Sequence, residues 1–355
     1  MMKRPHARAR PERRLPDVHV RRARRLSHDV GARDGATHAT RRRASTQSDA
    51  PRRFFNMIFE KIPTLRLADD VFARVDALRR SRLGFVFVDA SSSSRADGRA
   101  ATREAFARAE EFFARDIDEK MKCATTSGRG YTREGAETLD VESSSSGDAK
   151  EGFYVGRDGA PWPDDFDAFR AAVEDFYEYA YTVARELLPT FARALGVEDD
   201  YFDEDFGSLR HACVLRLLRY APTPSNVDEG KFACGAHTDY GLFTLLATDS
   251  VPGLQVFDSE TNDWIPVRAP RADLLVLNVG DLMQFWSDGA FTSTKHRVVV
   301  DGDRERYSMP FFVEPNHACV ITPIKRASTT NSTTNSARST TFGEYLAAKY
   351  RETYA

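Results

Sequence analysis

Cysteine is scarce in this chain of 355 residues: four, at positions 123, 213, 234 and 319, with no paired spacing. That excludes a disulfide-stapled scaffold and a cysteine-built zinc site, and it fits a reducing compartment inside the cell. Cys234 reads as a small buried filler. Long apolar runs are also missing, and nothing approaches the ~20 residues that a membrane-crossing helix needs. Histidine is sparse, with only four beyond residue 53, namely His211, His237, His296 and His317. Neither sign of charge dominates the total of −2, but the balance is uneven. Residues 1–53 hold sixteen Lys and Arg against five Asp and Glu, a surplus of 11, so the remainder carries −13. An acidic body argues against nucleic acid as a partner.

Residues 1–54 are rich in Arg, Ala, Pro and Ser/Thr and lack a sustained apolar face, so they are expected to be a disordered basic tail. Their composition suits an organelle transit peptide, although five acidic residues weigh against it. The rivals are a nucleic-acid- or membrane-binding arm and a start site at Met57. The expected location is intracellular: cytoplasm, or chloroplast or mitochondrion if the tail is a transit peptide.

From 55 to 205 the pattern predicts a largely helical region packing on a barrel. Ile62 to Leu67 and Gly84 to Val88 read as strands. Val71, Phe72, Val75 and Leu78 make one helical stripe, and Phe106, Ala109, Phe113 and Ile117 another that ends near Lys120. A long helix runs from Phe166 to Leu195, with a kink expected at Pro189 and a stop at Gly196. Ser143 to Ser146 read as a mobile insert.

Near residue 206 the period changes from helical to two. Short runs such as Val214–Tyr220, Leu242–Ala247, Leu274–Val279, His296–Val300 and Ser308–Val313 are separated by turn signals at Pro252-Gly253, Gly280-Asp281 and Ser287-Asp288-Gly289. About eight antiparallel strands in two sheets make a jelly roll, expected over 206–325. The fold class is therefore mainly β with flanking helices: a double-stranded β-helix core with an N-terminal α/β region. Residues 326–355 read as a flexible Ser/Thr linker and a closing helix.

The chemistry concentrates at His237-Thr238-Asp239. Side chains two apart on an extended backbone share a face, so an imidazole and a carboxylate converge. Two ligands hold a metal poorly, and His296 is the candidate third. Two histidines and one carboxylate form the facial triad of non-haem Fe(II) oxygenases, with positions left open. Ten residues on, Arg306 and Ser308 put a cation and a hydroxyl on one strand face, suited to the far carboxylate of a small dicarboxylate. His211 and His317 lack metal-ligand neighbours and read as structural or surface residues. Asp281 and Arg297 read as scaffold.

The order His-x-Asp, short strands, His296-Arg297-Val298, then Arg306-x-Ser308 before Pro310-Phe311-Phe312 resembles the 2-oxoglutarate and Fe(II)-dependent dioxygenases of the isopenicillin N synthase-like branch. The resemblance runs from Ile62 to Tyr350. It implies Fe(II) on His237, Asp239 and His296, and 2-oxoglutarate gripped by Arg306 and Ser308, with ascorbate as an optional reductant. Tyr220 matches a family tyrosine that reaches the co-substrate; the alternative is a wedged core tyrosine. Arg129-Gly130-Tyr131 and Asp148 to Tyr154 match segments near the pocket mouth in relatives; the alternative is a loop packed on the barrel. Ser91 to Ser94 stand where the family carries an Asn-His-Gly turn. The partners implied are dioxygen and a small-molecule substrate, which would be hydroxylated, desaturated or ring-closed by a monomer. The alternatives are an iron oxidase without 2-oxoglutarate, as in isopenicillin N synthase or aminocyclopropane-carboxylate oxidase, and an inactive jelly-roll binding module.

Overall fold

The computed structural model describes residues 62–124, 129–144, 146–207, 211–324 and 339–354. The readings of 1–54 and of most of the Ser/Thr-rich linker lie outside the described residues. The described chain begins with β1 (Thr64–Arg66), α1 (Val71–Arg80), β2 (Phe85–Asp89), α2 (Gly98–Phe113) and α3 (Ile117–Met121). Next come β3 (Gly130–Thr132), β4 (Lys150–Gly156), α4 (Asp167–Leu195) and α5 (Asp203–Phe206). The second half carries β5 (Val214–Tyr220), β6 (Cys234–His237), β7 (Phe243–Thr248), β8 (Leu254–Asp258), β9 (Asp263–Pro266) and β10 (Leu275–Val279). It continues with α6 (Asp281–Trp286), β11 (His296–Val298), β12 (Arg306–Val313), β13 (Val320–Ile321), β14 (Thr340–Thr341) and α7 (Phe342–Tyr354).

Two sheets build the jelly roll. One has eight strands in the order β1-β2-β10-β7-β12-β5-β4-β3; the other has four, β6-β11-β8-β9. β1 pairs parallel with β2, and the other pairs in these two sheets are antiparallel. Phe85, Phe87, Leu246 and Val276 of the large sheet share a buried cluster with Leu254, Val256 and Ile265 of the small one. The mainly-β expectation holds. The segment 55–205, expected to be largely helical, also supplies four strands of the large sheet. Lys150 to Tyr154 are thus part of an interior strand, next to the edge strand β3, rather than a loop. All seven residues of β4 are buried, because β3 and β5 flank it and both faces are covered.

The helices cover the outer face of the large sheet. α4 presents Phe169, Val173, Phe176, Ala180, Leu187 and Phe191 at helical spacing, all buried. It runs uninterrupted through Pro189 and ends at Gly196, whose φ of 82° only glycine adopts without strain. The amides of Gly196 and Val197 bond back to Arg193 and Ala192, closing the last turn. Two stripe residues are corrected. Phe72 is 70% exposed, with the Arg193 guanidinium 5.8 Å from its ring, and Ile117 is 52% exposed. Ile117 faces outward because α2 stops at Phe113 and the chain restarts as α3. Phe112 takes the buried role instead. Its ring stacks on Phe169 at 4.6 Å and meets Phe113, Tyr131 and Phe153 edge-on.

The expected turn at Gly280-Asp281 is the start of α6. A Cβ on Gly280 would lie 2.2 Å from the Gly241 carbonyl oxygen, so only glycine lets this corner approach residues 239–242. The backbone bonds Asp281 N–Asp239 O (2.7 Å), Gly280 N–Leu242 O (3.0 Å) and Leu282 N–Gly241 O (3.1 Å) then stitch the two segments together. His211 is buried and stacks on Tyr181 with centroids 4.4 Å apart, a structural residue as expected, while His317 is exposed.

Two outcomes follow from this packing. Phe112→Ala is expected to destabilise the fold by about 3–5 kcal/mol, read as a fall in the denaturant midpoint. Burial lowers the His211 pKa to about 4. The unfolded chain therefore takes up a proton near its ordinary value while the folded chain does not. The contribution is present above that ordinary value and is lost as pH falls toward the folded one, on the order of 2 kcal/mol. Urea melts across this range should show the loss, and His211→Phe should flatten it.

Candidate metal centre

His237 ends β6 and His296 opens β11, and the antiparallel register sets them directly opposite each other. Facing residues on adjacent antiparallel strands are the closest side-chain neighbours a sheet offers. The two rings lie 4.3 Å apart between centroids. Asp239 stands two residues beyond β6, past the end of the strand, where the stitching to α6 fixes the backbone. Its Oδ1 lies 3.7 Å from Nε2 of each histidine. Among the described residues these three form the one group of ligating side chains compact enough for a metal ion, with all donor atoms within 4.8 Å of one another.

The unused atoms of each residue are already occupied. His237 Nδ1 lies 2.8 Å from the Gly235 carbonyl, and His296 Nδ1 lies 3.2 Å from the Thr294 carbonyl. A carbonyl only accepts, so each Nδ1 carries the proton and each Nε2 lone pair faces the common point. Asp239 Oδ2 accepts from Thr244 Oγ1 at 2.6 Å and Asn278 Nδ2 at 2.7 Å, leaving Oδ1 for the centre. Burial opposes ionisation of Asp239, but both imidazoles and these two hydrogen bonds outweigh it and hold the carboxyl below its usual range. Burial, reinforced by His237, lowers His296 to about 4. An ionised carboxylate between two imidazole nitrogens is a donor set that binds a divalent cation.

Arg306, Ser308 and Tyr220 line the same cavity as the triad. Arg306 pairs across the strands with Tyr220, and Ser308 with Leu218. The Arg306 guanidinium carbon is 4.8 Å from the Tyr220 ring centroid, and the Tyr220 hydroxyl is 3.4 Å from Ser308 Oγ. Arg306 is 1% exposed, yet its Nε and Nη1 have no hydrogen-bond partner. A buried cation with two open donors is costly unless an anion accepts from them. The donor set therefore fits a small carboxylate at one end and a divalent metal farther along.

Sequence reasoning did not name Thr244 or Asn278. Both are buried polar residues inside otherwise apolar strands, and that contrast was the available signal. Asp281, read as scaffold, accepts from Thr238 Oγ1 at 3.3 Å and pairs with Lys349 of α7 at 2.9 Å. Arg297 points away from the triad and stacks 4.0 Å from the Trp264 ring centroid. Arg129 is half-buried beside β3, and Tyr131 is buried on the helix-facing side.

Comparison with known proteins agrees with this geometry. The family model described as the 2OG-Fe(II) oxygenase superfamily matches residues 211–315, and that of the non-haem dioxygenase N-terminal region in morphine synthesis matches residues 71–172. The chain is 34% identical over 241 residues to the 2-oxoglutarate-Fe(II) type oxidoreductase hxnY of Emericella nidulans, covering 61% of this chain and 67% of that protein. It is 33% identical over 243 residues to the 2-oxoglutarate-dependent dioxygenase citB of Monascus ruber, covering 62% and 73%. Its fold matches that of a full-length Neurospora crassa protein crystallised in complex with alpha-KG, with a TM-score of 0.69, 27% identity, and coverage of 82% of this chain and 96% of that one. Among the described residues no helix is long and apolar enough to cross a membrane. With relatives, fold and donor set in agreement, the chain belongs to the 2-oxoglutarate and Fe(II)-dependent oxygenase superfamily.

Proposed function

We propose that His237, Asp239 and His296 hold the Fe(II) of this oxygenase, and that Arg306, Ser308 and Tyr220 receive the distal carboxylate of 2-oxoglutarate. The observation that carries the second half is the open Nε and Nη1 of the buried Arg306 guanidinium. A planar fork can bind a carboxylate through two parallel bonds, which a lysine cannot reproduce, and Ser308 adds a hydroxyl. Fe(II), when bound, supplies the redox chemistry that couples dioxygen and decarboxylation of 2-oxoglutarate to oxidation of a substrate C–H bond. The chain's own residues bind, orient and dry the site. Gly235 and Thr294 aim the two imidazoles, while Thr244 and Asn278 aim Asp239 Oδ1. Leu218, Leu246, Leu254, Val298 and Phe85 supply an apolar lining that limits water beside the reacting bond.

The test is succinate release from 2-oxoglutarate by the purified chain with Fe(II) under air. His237→Ala and Asp239→Ala are expected to lose bound iron in metal analysis while keeping the wild-type circular dichroism. Arg306→Ala should weaken 2-oxoglutarate binding by about 3–5 kcal/mol, the cost of stranding a buried charge, and unchanged affinity in a titration would remove it from this role. Thr244→Val and Asn278→Leu are each expected to lower Fe(II) affinity about 10–100-fold, measured by competition with a chelator.

A further inference from the structure

Of the three ligating residues, Asp239 is the one that lies outside a strand. β6 ends at His237 and β11 opens at His296, so a ladder fixes both histidines, whereas residues 239–242 are held by backbone bonds to α6. α6 has six residues, too few to stay helical in water without outside support. The closing helix supplies that support.

Phe342, Tyr345, Leu346, Lys349 and Tyr350 fall at helical spacing on one face of α7. Its first turn is anchored on the body. Phe342 is fully buried, its amide donates to the Cys319 carbonyl at 2.8 Å, and the Gly343 amide donates to that of His317 at 3.0 Å. One turn on, Leu346 is buried and the Tyr345 ring lies 6.3 Å from that of Phe285 in α6. The next turn reaches the metal-binding segment. Lys349 Nζ lies 2.9 Å from Asp281 Oδ2, the same oxygen that accepts from Thr238 Oγ1 at 3.3 Å. The Tyr350 ring meets that of Tyr240 edge-on, with centroids 5.8 Å apart.

Thr238 and Tyr240 flank Asp239 in the chain. His237 and Asp239 turn to the metal point, and the two residues alternating with them are the ones that α7 holds, one through Asp281 and one directly. The Lys349 and Asp281 side chains are 29% and 11% exposed, so their ion pair contributes little to global stability. Its effect is on geometry. A metal site depends steeply on where each ligand stands, and groups that orient a ligand without touching the metal change affinity accordingly.

We propose that α7 is a positioning element of the metal centre: Lys349 acts through Asp281 and Thr238, and Tyr350 through Tyr240, to set the place of Asp239. Iron binding and docking of the closing helix then reinforce each other, because a coupling free energy between two events is reciprocal. The proposal rests on the assignment of Fe(II) to His237, Asp239 and His296. Neither Lys349 nor Tyr350 lines the cavity, so both are positioning residues and not catalytic ones.

Two measurements on the full chain test it, both without oxygen or substrate. In competition with a chelator, Lys349→Met and Tyr350→Ala should each weaken Fe(II) binding about 3–10-fold, and Lys349→Arg should restore most of the loss. Thr238→Val should weaken it to a similar extent. Adding Thr238→Val to Lys349→Met should cost little more, because both act through one Asp281 oxygen. The metal-free denaturant midpoint of Lys349→Met should stay near that of the wild type, which separates ligand placement from a general loss of stability. Hydrogen exchange needs no variant: Fe(II) should slow exchange of the α7 amides more than those of α1, which packs on α4 and β1, and His237→Ala should abolish the difference. Unchanged iron affinity in both α7 variants, additive losses in the double variant, or α7 exchange indifferent to bound iron would overturn the proposal. A wild-type chain that takes up no iron would defeat the triad assignment itself, whereas iron uptake without these couplings defeats only the role given to α7.

Discussion

A buried carboxylate, Asp239, is the constraint around which this protein is arranged. An ionised group out of contact with water costs several kcal/mol unless neighbours compensate it. Here the compensation is divided between its two oxygens. Thr244 and Asn278 take Oδ2, one from each of two adjacent strands of the large sheet, and Oδ1 is turned to the histidines. The backbone carrying Asp239 is clamped by α6, which reaches it only because Gly280 has no Cβ. Small sheet, large sheet and the corner helix thus meet at one side chain. Asp281 extends the chain of contacts to Thr238 and to Lys349 of the closing helix.

The large sheet uses its two faces for different purposes. On β4 and β5, Lys150, Tyr154, Arg216 and Tyr220 belong to the cavity side, while Glu151 and Arg219 belong to the helix side. Glu151 accepts from Lys120 at 2.8 Å, Arg219 at 2.6 Å and the Tyr131 hydroxyl, so this second buried charge is also satisfied. Alternation along a strand allows an ionic network that ties α3 and β3 to the sheet to lie one residue away from a ligand cavity. Charges on the helix side are matched within the protein. Those on the cavity side leave open donors at Arg306, which is what separates a binding surface from a structural network.

Much of this was legible from residue order alone. Val214–Tyr220 is a strand-like run bounded by turn signals and appears as β5 with the same ends, and the long helix stops at the glycine expected to stop it. The helical stripes were less secure. Phe72 and Ile117 fit the period but lie at the edge of a packed face or beyond a helix break, where periodicity carries no information about what covers them. Lys150–Gly156 was unreadable as a strand, because a strand buried on both faces shows no alternation, and its two leading charged residues imitate a loop.

The sequence by itself determined most strands of the β-rich half and the chemical types available for a site: two imidazoles, a carboxylate and a guanidinium on or just beyond strands. It also carried the family resemblance. The tertiary structure alone decided that His237 and His296 face each other across a strand pair, that Thr244 and Asn278 share one oxygen of Asp239, and that Arg216 and Arg306 mark two ends of one cavity. The physical reason is that strand register and the packing of one sheet on another are set by contacts between residues far apart in the chain. Local periodicity specifies which face a side chain occupies, not which partner meets it there.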